Sequence, residues 1–115
     1  MTKVVIFAFR AEATCFMHAL LNALDLEENG MWGVIVVEGE ATRLIPAIAQ
    51  PEHFLNGLYL QAKGRGMIYG ACHACASKLG VADAIAAEGI PLIGDMSGHP
   101  AMATFIRQEY AIITI

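Results

Sequence analysis

The sequence lacks the features of a protein that binds nucleic acid or inserts into a membrane. Its 7 Lys and Arg residues are scattered and its net charge is −4, so no basic stripe exists to neutralise phosphates. The longest apolar runs, such as residues 4–9, are too short to cross a bilayer, and the first residues do not resemble a signal peptide. We therefore expect a cytoplasmic protein with neither nucleic-acid nor membrane partners.

Several catalytic motifs are absent as well. The chain has no G-x-G-x-x-G or Walker-type glycine loop and no G-x-S-x-G nucleophile elbow. It has only 3 cysteines, an odd number that excludes complete pairing in internal disulfides. In a reducing compartment, closely spaced cysteines more often bind metal or do redox work than crosslink a fold.

The composition predicts one domain, residues 1–115, that associates with itself. Hydrophobic residues make up 57% of the chain and charged residues only 16%. A domain of this size leaves much of its surface in contact with water, so we expect more apolar side chains than one core can hide. This predicts a homo-oligomer that buries the excess between subunits.

Apolar runs alternate with helical patterns along the chain. Buried strands are predicted at residues 3–9, 32–39, 67–71, 90–95 and 110–115. Helices are predicted at residues 15–28, 42–49, 51–66 and 73–88, the last one divisible at Gly80, and from residue 97 onward with Pro100 in the first turn. Because every crossover carries a helix, we predict a three-layer α/β/α fold with a five-stranded, mainly parallel sheet and helices on both faces.

Sites in open α/β sheets lie beyond the carboxyl ends of the strands, and the sulfurs and imidazoles of this chain concentrate there. The side chains that come after the strands are Arg10, Cys15 and His18 after the first, Glu38 and Glu40 after the second, Cys72 and Cys75 after the third, and Asp95, Ser97 and His99 after the fourth. Glu38 and Glu40 are explained as a turn and a helix cap. Ser97 or His99 can cap the helix after them.

Cys72 and Cys75 carry the strongest chemical signal. Three residues apart in the first turn of a helix, they share a face, with Cα atoms about 5–6 Å apart, which is within disulfide range. The positive end of the helix dipole should also favour a thiolate. A C-x-x-C motif serves redox sites and zinc sites equally, and both cysteines could instead be small packing residues.

Other residues supply two candidate environments for these thiols. Arg10 could attract an anionic substrate or lower a cysteine pKa, His99 could carry protons, and Asp95 could orient His99. Alternatively, Cys15, His18, Cys72 and Cys75, with His99 as a substitute, would make a tetrahedral zinc site.

Four segments, KVVIFAFRAEATCFMHALLNALDL, VVEGEATRLIP, CHACASKLGV and IPLIGDMSGHP, together resemble the DsrE-like (DsrE/DsrF/DsrH-like) family of small sulfur-related proteins. The resemblance implies an α/β protein that assembles as a dimer, trimer or hexamer. It also implies a persulfide carried on Cys72 and passed between donor and acceptor proteins. Cys75 and Cys15 depart from the simple pattern, since a sulfur carrier needs one cysteine and a second thiol would attack the persulfide and release sulfide.

The residues leave three hypotheses open. The first is a cytoplasmic sulfur-relay or thiol-redox protein, a persulfide carrier rather than a turnover enzyme, that needs no cofactor. Cys72 would be its nucleophile and Cys75 the resolving thiol, with Arg10 and His99 at the same site. The second is a protein that binds zinc or another transition metal through Cys72 and Cys75. The third is an oligomeric ligand-binding module without catalysis.

Overall fold

The computed structural model describes residues 1–115, and five strands form one sheet in which every neighbouring pair is parallel. The strands are β1 Lys3–Ala8, β2 Trp32–Val37, β3 Ile68–Cys72, β4 Leu92–Ile93 and β5 Tyr110–Thr114. Their order across the sheet is β4-β3-β2-β1-β5. This arrangement confirms the predicted α/β class and the five-stranded sheet.

Six α-helices connect the strands. They are α1 Ala13–Glu28, α2 Leu44–Ile48, α3 Asn56–Gly64, α4 His73–Lys78, α5 Ala82–Ala87 and α6 Met102–Arg107, with a 3-10 helix at Gly39–Arg43 before α2. No helix combines the length and the apolar character that a bilayer crossing requires.

The two faces of the sheet pack into separate cores, because successive side chains of a strand point to opposite faces. Val4 and Ile6 of β1 belong to a core of 23 buried residues that includes α1 and α3. Val5 and Phe7 belong to a core of 5 buried residues that includes Phe105 of α6. Helices therefore cover both faces, as predicted, but the second face is covered by only one short helix.

Several predicted strands and helices are longer than the observed ones. The predicted strand at residues 90–95 is reduced to two residues at the sheet edge, where Leu92 and Ile93 pair only with β3. The predicted helix at residues 51–66 begins at Asn56, and turns occupy the residues before it. The predicted helix at residues 73–88 is divided at Gly80, as the sequence prediction allowed, and the φ of Gly80, +73°, lies in the region that favours glycine.

Two helix starts also differ from the prediction. The segment at residues 42–49 begins within a 3-10 helix, which ends at Arg43, before α2 takes over. Pro100 does not occupy the first turn of a helix, because α6 begins at Met102 and Ala101 precedes it in extended conformation.

A polar contact joins α3 to the end of α5. The hydroxyl of the buried Tyr59 donates a 2.6 Å hydrogen bond to Glu88 Oε1, and Lys63 Nζ lies 3.2 Å from the same oxygen. Burial raises the pKa of Tyr59, and so does the Glu88 carboxylate. The hydrogen bond from Tyr59 holds the pKa of Glu88 below its ordinary value of 4.5.

We predict that Tyr59→Phe lowers the free energy of unfolding by about 1–2 kcal/mol, since a hydrogen bond to a charged group is lost. Because the folded-state pKa of Glu88 is depressed, this contribution is complete above the ordinary pKa of 4.5 and declines as the pH falls further. Urea unfolding of both proteins at neutral and acidic pH measures the difference. Tyr69→Phe is the matched control, because Tyr69 packs its ring edge-on against Phe105 and is 37% exposed, whereas Tyr59 is buried against a charged partner. Equal losses in the two variants would contradict the prediction.

Candidate functional site

Four side chains converge at the carboxyl ends of β2, β3 and β4. They belong to Glu38, Cys72, Cys75 and His99, and one potential ligand atom from each lies within 4.8 Å of all the others. Cys72 ends β3, and Cys75 lies in the first turn of α4. Glu38 comes directly after β2, and His99 lies in the loop between β4 and α6. We call this set the Glu-Cys-Cys-His cluster. The predicted convergence of Cys72, Cys75 and His99 is therefore present.

One imidazole nitrogen contacts both thiols. The Nδ1 atom of His99 lies 3.1 Å from the Sγ atom of Cys72 and 3.9 Å from the Sγ atom of Cys75. The backbone N–H of Cys75 donates to Cys72 Sγ at 3.4 Å, so the Cys72 sulfur caps the start of α4. In the tautomer whose Nδ1 carries no hydrogen, His99 can accept a proton from the Cys72 thiol at 3.1 Å.

The two thiols differ in exposure. Cys72 is 0% exposed, whereas Cys75 is half-buried. Burial raises the pKa of Cys72 to about 12, and the Cys75 N–H opposes that effect only in part. The expectation that the start of α4 favours a Cys72 thiolate is therefore wrong. Desolvation of the sulfur outweighs the dipole of a helix of only 6 residues.

Glu38 is the member of the cluster that the sequence did not indicate as a candidate site residue. Only 7% of it is exposed. Burial raises its pKa, and a hydrogen bond with Cys72 and the charge of His99 oppose that rise. A buried carboxyl group beside a buried thiol is not explained by a turn or a cap, and it brings an oxygen donor into the cluster.

The loop that carries His99 is anchored by its neighbours. The backbone oxygen of Gly98 accepts a 2.8 Å hydrogen bond from the Ala74 N–H, at the start of α4. Asp95 accepts hydrogen bonds from the Ala101 N–H at 3.1 Å and from the Thr104 hydroxyl at 3.0 Å. Asp95 therefore does not orient His99 through its own side chain. It holds the loop against the start of α6.

The predicted helix-capping roles of Ser97 and His99 are wrong. Ser97 is exposed and its φ is 50°, while the His99 ring faces the thiols. No side chain caps α6, and Asp95 instead accepts a hydrogen bond from the N–H of Ala101, the residue before the helix.

Cys15 and His18 do not join the cluster, so the metal site predicted with them is corrected. Both lie on α1, which comes after β1, and β2 separates β1 from β3 in the sheet. Glu38, at the end of β2, is therefore the residue that comes beside the thiols. His18 is exposed, and Cys15 is half-buried.

Arg10 does not contact the thiols either. It is exposed and lines a separate depression with Glu12, Glu40 and Arg43, and Glu40 forms a 3.2 Å ion pair with Arg43. Arg10 is not among the groups that shift the pKa of Cys72, so its predicted influence on that pKa is not found.

Two surface depressions reach the cluster. One, of about 220 Å³, is lined by Cys75 together with Glu40 and Lys78. Another, of about 420 Å³, is lined by Glu38 and His99 with mainly apolar neighbours. Neither is lined by Cys72, so a reagent in solution meets Cys75 first.

Comparisons with known proteins add relatives without a described function. No protein-family model matches the chain. The uncharacterized protein MJ0733 of Methanocaldococcus jannaschii is 30% identical over 99 residues, which cover 86% of this chain and 78% of that protein. The structure of BT1422 from Bacteroides thetaiotaomicron, a conserved protein of unknown function, is similar to this one with a TM-score of 0.75 at 20% sequence identity. The similarity covers 98% of this chain and 94% of the BT1422 chain. This second likeness concerns the fold alone.

We predict that iodoacetamide at neutral pH modifies Cys75 at least roughly tenfold faster than Cys72, because Cys72 is buried and its thiolate is disfavoured. Peptide mass spectrometry after timed quenching measures each rate. Cys15, which is half-buried but outside the cluster, is the internal reference. Faster modification of Cys72 than of Cys75 in the folded protein would contradict the burial argument.

Proposed function

The chain belongs to the family of the uncharacterized protein MJ0733, and we propose that it is a sulfur-relay or thiol-redox protein of a reducing, cytoplasmic compartment. The observation that carries the proposal is the 3.1 Å separation of Cys72 Sγ and His99 Nδ1. The Cys75 Sγ atom lies 3.9 Å from the same nitrogen. We propose further that the family is DsrE-like, on the resemblance of four segments of the chain. Small sulfur-donor and acceptor proteins are then its partners.

Sulfur arrives at Cys75 in this proposal, and not directly at Cys72 as the family resemblance implies, because Cys75 lines a surface depression and Cys72 does not. The Cys75 thiolate attacks the outer sulfur of a donor persulfide, R–S–SH. The S–S bond of the donor breaks, Cys75 carries S–SH, and the donor leaves as its thiol. Each atom is accounted for, and no external oxidant or reductant is needed.

The fate of the persulfide distinguishes relay from redox chemistry. In the relay, Cys72 attacks the outer sulfur, which moves to Cys72 and leaves the Cys75 thiol. In the redox variant, Cys72 attacks the inner sulfur, a Cys72–Cys75 disulfide forms, and HS⁻ leaves. His99 accepts the Cys72 proton in both cases, and a dithiol reductant restores the thiols after the redox variant.

We predict that a low-molecular-weight persulfide donor either adds one sulfur atom to the protein or leaves a Cys72–Cys75 disulfide with release of sulfide, and that Cys75→Ser removes most of either product, since the receiving thiol is lost. Intact and peptide mass spectrometry under anaerobic conditions gives the position. Sulfur on Cys72 supports the relay, whereas a disulfide with released sulfide supports the redox variant. Cys15→Ser is the matched control and should behave as wild type. Equal sulfur addition by Cys75→Ser and wild type would contradict the arrival of sulfur at Cys75.

Metal binding is a second candidate function, favoured by the presence of Glu38 beside Cys72, Cys75 and His99. The donors are two sulfurs, one imidazole nitrogen and one carboxylate oxygen, a set that suits zinc or a related transition metal. It replaces the ligand set that included Cys15 and His18.

Self-association completes the proposal, as a homo-oligomer between dimer and hexamer. Its support is the 57% hydrophobic composition and the apolar surface of α6, where Ile106 is 62% exposed and Met102 is 36% exposed. This helix alone covers the second face of the sheet, so a second copy is the occupant that would bury the remaining apolar area.

We predict that Ile106→Glu lowers the oligomeric state, because a charge would be buried between subunits. Size-exclusion chromatography with light scattering measures the mass. Leu60→Glu is the control, since Leu60 is 53% exposed on α3, on the other side of the sheet. A wild-type protein that is monomeric at high concentration, or equal masses for Ile106→Glu and wild type, would rule out this surface.

A further inference from the structure

We infer that Glu38, Cys72, Cys75 and His99 form a complete four-ligand site for a zinc-type divalent ion, and that its occupancy switches the thiols off. The binding half of this inference stands on the geometry of the cluster. The switching half rests on the proposed function, because it concerns the availability of Cys75 for sulfur chemistry.

The spacing of the donors fits a tetrahedral ion. Zinc bonds of about 2.0–2.3 Å place neighbouring ligand atoms roughly 3.3–3.8 Å apart. In the cluster, His99 Nδ1 is 3.1 Å from one sulfur and 3.9 Å from the other, and all four donors lie within 4.8 Å. Small side-chain rotations therefore suffice to close the site. Sulfur and imidazole donors also disfavour Ca²⁺ and Mg²⁺, which prefer oxygen.

The cluster also contains no lysine or arginine, and His99 is its one group that can carry positive charge. Glu38 is buried and takes part in none of the ion pairs, which join Arg43 to Glu40, Lys63 to Glu88 and Arg65 to Glu27. A bound divalent ion would face two thiolates and one carboxylate, and two thiol protons would leave on binding. The ion thus supplies the positive charge that no lysine or arginine of the cluster provides.

Four protein ligands leave no open position on a tetrahedral ion, as in structural zinc sites. Both sulfurs would then be engaged, and neither could attack a persulfide. Conversely, a Cys72–Cys75 disulfide removes two ligands and releases the ion. The metal-bound and sulfur-active states of the chain are therefore mutually exclusive.

The loop at residues 94–101 is the part of the site that the ion would fix most. Glu38, Cys72 and Cys75 lie on or next to strands and the first turn of α4, whereas His99 lies in the loop. Backbone bonds hold that loop at Gly98 and at Met96, so His99 starts close to its ligating position. Pre-positioning of this kind lowers the entropy lost on binding.

Cobalt(II) is the probe for the binding half, added to metal-free, reduced protein. We expect one equivalent to give the thiolate charge-transfer and tetrahedral ligand-field absorption, and Zn²⁺ to abolish it. Glu38→Gln and His99→Ala should each weaken binding by roughly tenfold or more. Cys15→Ser and His18→Ala should bind as wild type does, and circular dichroism confirms that each variant is folded.

Three results would overturn the binding half. They are a wild-type spectrum without thiolate absorption, a full loss of the signal in Cys15→Ser, and unchanged affinity in a folded Glu38→Gln. The wild-type spectrum alone decides the matter if Glu38→Gln fails to fold.

Alkylation of Cys75 tests the switch. One equivalent of Zn²⁺ should slow iodoacetamide modification of Cys75 at least roughly tenfold, leave Cys15 unaffected, and be reversed by EDTA. Unchanged modification of Cys75 in zinc-loaded protein would overturn the switch. Cobalt binding without persulfide transfer in the metal-free protein would refute the proposed function and leave the metal site standing. Persulfide transfer without cobalt binding would do the opposite.

Discussion

The parallel alignment of β2, β3 and β4 is the constraint on which the site depends. Parallel strands end at one edge of a sheet, and β3 lies between β2 and β4 in the strand order. The residue that ends β3 is Cys72, so its sulfur is flanked by the segments that leave the two neighbouring strands. These segments carry Glu38 on one side and His99 on the other. The chemistry of the cluster therefore depends on strand order as much as on the C-x-x-C motif.

Burial gives the cluster its chemical character. In water, a cysteine at a helix start and a glutamate after a strand would ionise independently. Here Cys72 and Glu38 are both removed from solvent, and burial raises the pKa of each of them. Their charged forms become more favourable when a positive charge comes into reach. The charge of His99 opposes the rise of the Glu38 pKa in this way, and a bound divalent ion would act on both groups.

Local patterns in the sequence predicted the helices and strands, but they did not predict which strands lie side by side in the sheet. The continuous apolar run of β1 and the helical spacing of α1 predicted both elements, because one strand buried on two faces and one amphipathic helix have distinct periods. The same patterns led to the expectation that Cys72, Cys75 and His99 share an edge. Strand order is a long-range property that no local pattern contains. Cys15 was therefore assigned a place beside the thiols that Glu38 occupies.

The difference between Cys72 and Cys75 was equally hidden in the sequence, and it decides how the site could work. Their spacing makes them equivalent members of one motif, but Cys72 ends a buried strand and Cys75 lies on a helix that reaches the surface. A buried thiol of high pKa is protected from alkylation and oxidation, while a half-buried one is open to partners. In the proposed sulfur transfer, the accessible Cys75 would receive the sulfur and the shielded Cys72 would retain or resolve it, and two equivalent thiols would not separate these roles.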